Sequence, residues 1–297
     1  MFTKVFLEIT DVCNMACGFC PPTKRPRKFM AETEFRFLLD RLAGTAGRLH
    51  FHVKGEPLLH PGLGNFLRIA GDLGFEVGLT TNGSLLGRVA DTLLAAAALR
   101  RLSVSIHCRA DGSDAEEYWE SVSAFLDLHR RSPRFPVSLR LWNLHSCSLP
   151  AETAILWRRL RDRYPHVGEW GSPGSWPAGN RLDEKVFLNA AEEFVWPDPA
   201  LPEGGPEGRC LGLRDQIGVL VDGTVVPCCL DGEGRLALGN LFRDDLATIL
   251  DSPRTRAMRS GFARNVLVER LCRTCGFRRR FDAKDGPVPG GRVAAPS

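Results

Sequence analysis

Three cysteines fall within eight positions near the start of the chain, Cys13, Cys17 and Cys20 in VCNMACGFCPP, and their thiolates are a side-chain chemistry suited to binding metal. Asn14, Gly18 and Pro21-Pro22 put them in a loop, not in a core strand. Disulfide frameworks belong to short secreted chains behind an apolar signal segment, whereas this chain has 297 residues and its MFTKVFLEIT start alternates polar with apolar. A structural zinc site closes with four N or S ligands, and no fourth Cys or His stands near the triplet; His50 and His52, the nearest imidazoles, belong to another element. Three thiolates at this spacing suit a cubane iron-sulfur cluster in which one iron keeps an open coordination position.

The elements that must carry this loop are legible as strand-then-helix alternation. VFLEI, RLHFHV, EVGLTT, RLSVSI and VSLRLW read as strands, separated by helical patterns in FRFLLDRL, FLRIAGDL, VADTLLAAAAL, EEYWESVSAFLDLHR and ETAILWRRLRDRY. Apolar strands in that order predict a parallel α/β sheet buried on both faces. The stretch from His166 to Glu184, rich in Gly, Pro and Trp, reads as a loop, and a sixth strand is expected near KVFLNA. Parallel β/α architectures place chemistry in the loops after the strands' C-terminal ends, which is where the cysteine triplet falls.

Composition frames the partners. Apolar content of 43%, charged content of 25% and a net charge of +4 describe a globular chain without the concentrated basic character of a dedicated nucleic-acid binder. No run approaches the ~18 apolar residues of a membrane span, so no membrane partner is expected. Ten cysteines without a secretion signal point to metal ligation in a reducing cytoplasm.

A second cysteine group lies in CLGLRDQIGVLVDGTVVPCCLD and LCRTCGF. Asp222-Gly223 between two β-rich runs predicts a hairpin with Cys228 at the end of its returning strand, and Cys272-x-x-Cys275 is a ligand-pair spacing. Cys210, Cys228, Cys272 and Cys275 make a complete set of four, for either an iron-sulfur cluster or a zinc knuckle. Cys229 is an alternative to Cys228, since adjacent strand residues point to opposite faces.

CxxxCxxC with the aromatic Phe19 before the last cysteine resembles the signature of radical S-adenosylmethionine (SAM) enzymes. The resemblance implies a partial (β/α)6 TIM-type barrel over residues 1–200, with a [4Fe-4S] cluster on Cys13, Cys17 and Cys20. There the open iron chelates SAM, and reductive cleavage yields a 5'-deoxyadenosyl radical that abstracts hydrogen from substrate. HVKGEPLLHP resembles the family's GGEP segment through Gly55, Glu56 and Pro57, with Lys54 where the first Gly often sits. TTNGS resembles its TNG segment through Asn82. Ser103 and Ser105, on one face of the fourth strand, are candidates for the ribose hydroxyls. Arg140, on the fifth strand, is the candidate for the SAM carboxylate, which a guanidinium matches bidentately.

The C-terminal cysteines, with a Gly-x4-Cys step from Gly223 to Cys228, resemble the SPASM/Twitch extension. This implies a small Cys-rich hairpin-plus-helix domain over residues 201–281 with one auxiliary [4Fe-4S] cluster, followed by a tail, 282–297, that reads as disordered. The expected activity is that of a radical SAM oxidoreductase or maturase: a two-electron oxidation or a peptide or protein modification, with an electron donor such as flavodoxin or ferredoxin. The alternatives are modification of a nucleic acid or small metabolite, and a non-catalytic iron-sulfur or zinc protein. Because the barrel pattern begins at once, a leader-dependent peptide maturase is the less expected variant. The remaining features have plainer readings: TKRPRK at 23–28 as a solvated loop, His107, Cys108 and Cys147 as packed side chains, and Glu192, Glu193 and Asp198 as solvent-facing carboxylates.

Overall fold

A computed structural model describes residues 2–109, 115–144, 151–167 and 180–281. Cys147, the side chain of Cys108, most of the Gly/Pro/Trp segment (168–179) and the tail 282–297 lie outside the described residues. The fold is α/β with a mostly parallel, unclosed sheet, in keeping with a partial barrel. By compactness the described residues form two units, 2–78 with 194–281, and 79–193.

In the first unit, β1 (Lys4–Leu7), β2 (Arg48–Phe51) and β3 (Glu76–Thr81, at the boundary) alternate with α1 (Glu32–Leu42) and α2 (Leu63–Asp72). β1 is buried along its last three residues and β3 along its last five, as sheet covered on both faces requires. α1 buries Phe35, Leu38, Leu39 and Leu42, and α2 buries Leu63, Phe66, Leu67 and Ala70, the stripe of a helix lying on a sheet. Phe35 and Phe66 stack at 4.1 Å between centroids, and Phe51 of β2 meets Phe35 edge-on.

The C-terminal segment adds β8 (Gln216–Val219), β9 (Thr224–Val226) and β10 (Gly239–Asn240), then α6 (Leu246–Asp251), α7 (Pro253–Ala263) and α8 (Arg270–Arg273). β8 pairs parallel with β1, Lys4 opposite Gln216 through Leu7 opposite Val219, so the unit's strand order is β10-β9-β8-β1-β2-β3. The expected hairpin is present: Gly223 N donates to Leu220 O (2.9 Å) and Gly223 takes φ +83°, closing a turn with a glycine in the left-handed position.

In the second unit, β4 (Leu99–Ser105), β5 (Val137–Leu144) and β7 (Val186–Glu192) run parallel, interleaved with α3 (Leu86–Ala95), α4 (Ala115–Arg131) and α5 (Ala151–Arg163). β7 is the sixth strand expected near KVFLNA. The reading of 166–184 as loop is corrected at its end, where β6 (Asn180–Asp183) pairs antiparallel with β7 and forms the sheet edge. Asn180, Arg181 and Asp183 carry none of the β-branched or aromatic signal that marks a strand, so edge pairing with β7 specifies it.

Candidate functional site

Beyond β1 the chain leaves the sheet as the cysteine loop and returns beside itself. Met30 N donates to Ile9 O (2.9 Å), Thr10 Oγ1 to Lys28 O (2.8 Å) and Lys28 N to Asp11 Oδ1 (2.7 Å), tying the base of the loop. Within it Cys20 N donates to Cys17 O (3.0 Å), a turn that gathers the half-buried Cys13, Cys17 and Cys20. Burial pushes the Cys13 and Cys20 thiols upward, and the neighbouring cysteines push the same way. Phe19 is half-buried in the loop. Three sulfurs close enough to feel one another fit an open cubane.

The stretch after β2 is built against this loop. Gly55 takes φ +71°, and a Cβ there would lie 2.3 Å from Thr10 O and 2.9 Å from the Asp11 backbone. Only glycine allows that approach. Glu56 N donates to Val12 O (2.8 Å), and the Glu56 carboxylate accepts Leu58 N (2.9 Å), capping a 3-10 turn that starts at Pro57. Glu56 lies near enough to Cys13 to raise its thiol further. Gly55→Ala is therefore expected to carry at least the ~1–3 kcal/mol of a misplaced backbone conformation. It should show a lower melting temperature as apoprotein and poorer iron retention after reconstitution. A wild-type melting temperature would sink this account.

Two cations behave as sequence reading did not foresee. Arg25, in the basic run expected to be solvated, has a side chain only 13% exposed, and its Nη2 donates to both Glu8 oxygens at 2.7 and 2.8 Å. Arg25 Nε also donates to Gly232 O (2.9 Å). The fully buried Glu8 carboxylate accepts Lys54 N (3.2 Å) and Val221 N (3.0 Å) as well. Burial pushes its carboxyl up to about 7, with Arg25 and the backbone amide of Val221 opposing. Lys54 is buried, following Val53 at φ +145°, with Nζ 2.5 Å from Pro21 O, 3.6 Å from Cys20 Sγ and 4.6 Å from the Trp196 ring centroid. Lys54, Trp196, Pro21, Asp231, Glu233 and Leu271 line a cleft in this unit.

The second cysteine group is in the same unit. Gly212 N donates to Cys210 Sγ (3.3 Å), and Cys275 N donates to Cys272 O (3.4 Å), the same turn that joins Cys17 and Cys20. Burial raises all four thiols; Cys210 and Cys275 add to the rise at Cys228 and at Cys272. Cys229, which also acts on the Cys228 thiol, packs against the apolar cluster of Phe6, Val53, Leu220 and Val226. Cys210 and Cys275 thus neighbour both Cys228 and Cys272, an arrangement that suits ligands of one closed cluster. No three His, Cys, Asp or Glu side chains among the described residues are set for a single metal ion; ligands of a cubane each bond a different iron and need no common point.

The second unit carries the other sequence candidates. Asn82 builds the turn after β3: its Oδ1 accepts Ser84 N (2.9 Å) and Ser84 Oγ (2.7 Å), and its carbonyl accepts the Tyr118 hydroxyl (2.9 Å). Ser105 on β4 stands opposite Arg140 on β5, which stands opposite Asn189 on β7, so register sets the three in one row. Ser103 lies one pleat away, opposite Ser138, fully buried with its hydroxyl unpaired. The Arg140 guanidinium stacks on Trp142 at 4.7 Å, and Trp142 Nε1 donates to Asn189 Oδ1 (2.8 Å). His107 Nδ1 sits 2.9 Å from Arg140 O, and burial lowers its pKa to about 4, keeping the ring neutral. Asn189 escaped sequence reading because only cross-strand register makes it a neighbour of Arg140, whereas Trp142, two residues on along β5, could have been found from strand alternation. Glu192, Glu193 and Asp198 are exposed, as expected.

Comparison with known proteins agrees with both cysteine groups. Residues 7–138 match the family model described as Radical SAM superfamily, and residues 210–276 match SPASM, an iron-sulfur cluster-binding domain. The second match favours iron-sulfur over the zinc knuckle. The GTP 3',8-cyclase of Gloeobacter violaceus is 30% identical over 265 residues, covering 82% of this chain and 81% of that one. Among solved structures, BtrN in complex with AdoMet and 2-DOIA aligns at TM-score 0.59 and 18% identity over 93% of each chain. Streptococcus suis SuiB bound to precursor peptide SuiA aligns at TM-score 0.59 and 14% identity, over 99% of this chain and 75% of that one. No helix among the described residues is long and apolar enough to cross a membrane.

Proposed function

Because the chain belongs to the radical SAM superfamily and carries a C-terminal SPASM domain, we propose that it is a radical SAM dehydrogenase, removing two electrons and two protons from its substrate. SAM, a [4Fe-4S] cluster and auxiliary iron-sulfur are the cofactors the family brings, and when bound they supply a carbon radical able to take hydrogen from an unactivated C–H bond. Cys13, Cys17 and Cys20 hold the open cluster. Gly55, Glu56 and Pro57 present backbone to SAM; Phe19, Asn82, Ser103, Ser105 and Arg140 shape the rest of its site. In this assignment residues 1–200 work as the barrel and 201–281 as the auxiliary domain.

The observation that carries the oxidative reading is the set Cys210, Cys228, Cys272 and Cys275. Four cysteines would saturate a cubane and leave it no iron for substrate, so the cluster they would hold would supply an electron acceptor for the oxidation. A flavodoxin or ferredoxin would reduce the open cluster.

A second reading has its own support, the 30% identity to a protein named GTP 3',8-cyclase. Titrating the reconstituted enzyme with GTP separates them. The dehydrogenase reading expects an unchanged auxiliary-cluster EPR spectrum and no GTP-dependent rise in 5'-deoxyadenosine. GTP-dependent cleavage with an altered spectrum would replace it with the cyclase.

A further inference from the structure

The position of Lys54 is unusually constrained for a lysine. Its backbone N is held by Glu8, its predecessor Val53 takes a φ of +145°, and its stem lies against Gly232, where a Cβ would come within 2.9 Å of it. The ammonium group ends 3.6 Å from Cys20 Sγ, 2.5 Å from Pro21 O and over the Trp196 ring. A buried ammonium requires a negative partner, and among the described residues no carboxylate pairs with it. The sulfur that Lys54 Nζ reaches is that of Cys20, which becomes an anion as a thiolate bound to iron.

We infer that Lys54 is a positioning residue that sets the reduction potential of the open cluster by hydrogen bonding and charge at Cys20. The inference rests on the reading that Cys13, Cys17 and Cys20 carry that cluster. A cubane with three thiolates gains negative charge when reduced, and a fixed cation at a ligand sulfur favours the reduced form; net charge and hydrogen bonds to sulfur are the protein's established controls on potential. Trp196 and the Pro21 carbonyl hold the ammonium in place without neutralising it. The effect should be local to Cys20, the sulfur that Lys54 Nζ reaches at 3.6 Å.

The test is an EPR-monitored redox titration of the reconstituted full-length enzyme, wild type beside Lys54→Met, Lys54→Gln and Lys54→Arg. The signal that changes on adding SAM identifies the open cluster, and iron content is counted on each sample. With full iron, both neutral variants should show at least a tenfold smaller reduced-to-oxidised ratio at fixed potential, about 59 mV for one electron. Lys54→Arg should stay near wild type, and the SAM-insensitive cluster should not move in any variant. Neutral variants with full iron and an unshifted potential would overturn the inference while leaving the cluster assignment standing. Loss of the open cluster from both neutral variants, with Lys54→Arg intact, would also overturn it, making Lys54 a structural support. A wild-type enzyme with no SAM-sensitive cluster would instead remove the assignment beneath it.

Discussion

Replacing Cys13, Cys17 and Cys20 together with alanine should abolish dithionite-dependent formation of 5'-deoxyadenosine and lower the iron count from about eight to about four per chain. The expectation follows from the two cysteine groups hanging from different elements. The N-terminal triplet hangs from β1 on a loop tied at Thr10, Asp11 and Lys28. Cys210, Cys228, Cys272 and Cys275 hang from the β8–β9 hairpin and α8. The remaining irons should keep the absorption of a fully cysteine-ligated cluster. Losing all eight irons would mean that the open cluster is needed to fold the auxiliary site, and retained cleavage would end the assignment of the triplet.

Much of this was legible because it is local. Strands such as β1 and β3 announce themselves as apolar runs buried on both faces, and α1 and α2 as stripes at helical spacing. Gly55 was marked by its resemblance to the GGEP segment, though what it approaches, the backbone of Thr10 and Asp11, was not legible. The illegible parts are pairings across long stretches of chain. Nothing in QIGV says that it will lie parallel to KVFL, since the register Lys4 to Gln216 joins residues far apart in sequence. The row Ser105, Arg140, Asn189 exists only once three strands are aligned. Arg25 misled because a run of basic residues is normally wet; its partner, Glu8, looked like one more strand residue.

Glu8→Ala should cost up to about 3–5 kcal/mol, because it leaves the buried Arg25 only the more distant Asp11 carboxylate, 3.9 Å away, as an ion partner. Glu8 joins four segments: Arg25 of the cysteine loop, Lys54 N beyond β2, Val221 N of the hairpin turn and its own extension of β1. Removing the carboxylate leaves the Arg25 guanidinium and two amides without it. Arg25→Met should cost less, because Glu8 can answer by binding a proton. Its folded carboxyl already stands at about 7, above the unfolded value of 4.5, so the folded state binds the extra proton. Its contribution to stability is therefore greatest at low pH and falls as pH rises from 4.5 to about 7. Without Arg25 the folded value climbs further, and the penalty of the substitution grows as pH rises. Thermal melts of the apoproteins at pH 5.5 and 8 read this directly: the gap between wild type and Arg25→Met should be the wider at pH 8. Equal gaps would mean that Glu8 stays ionised on its backbone amides alone, leaving Arg25 to act chiefly through Gly232 in holding the cysteine loop closed.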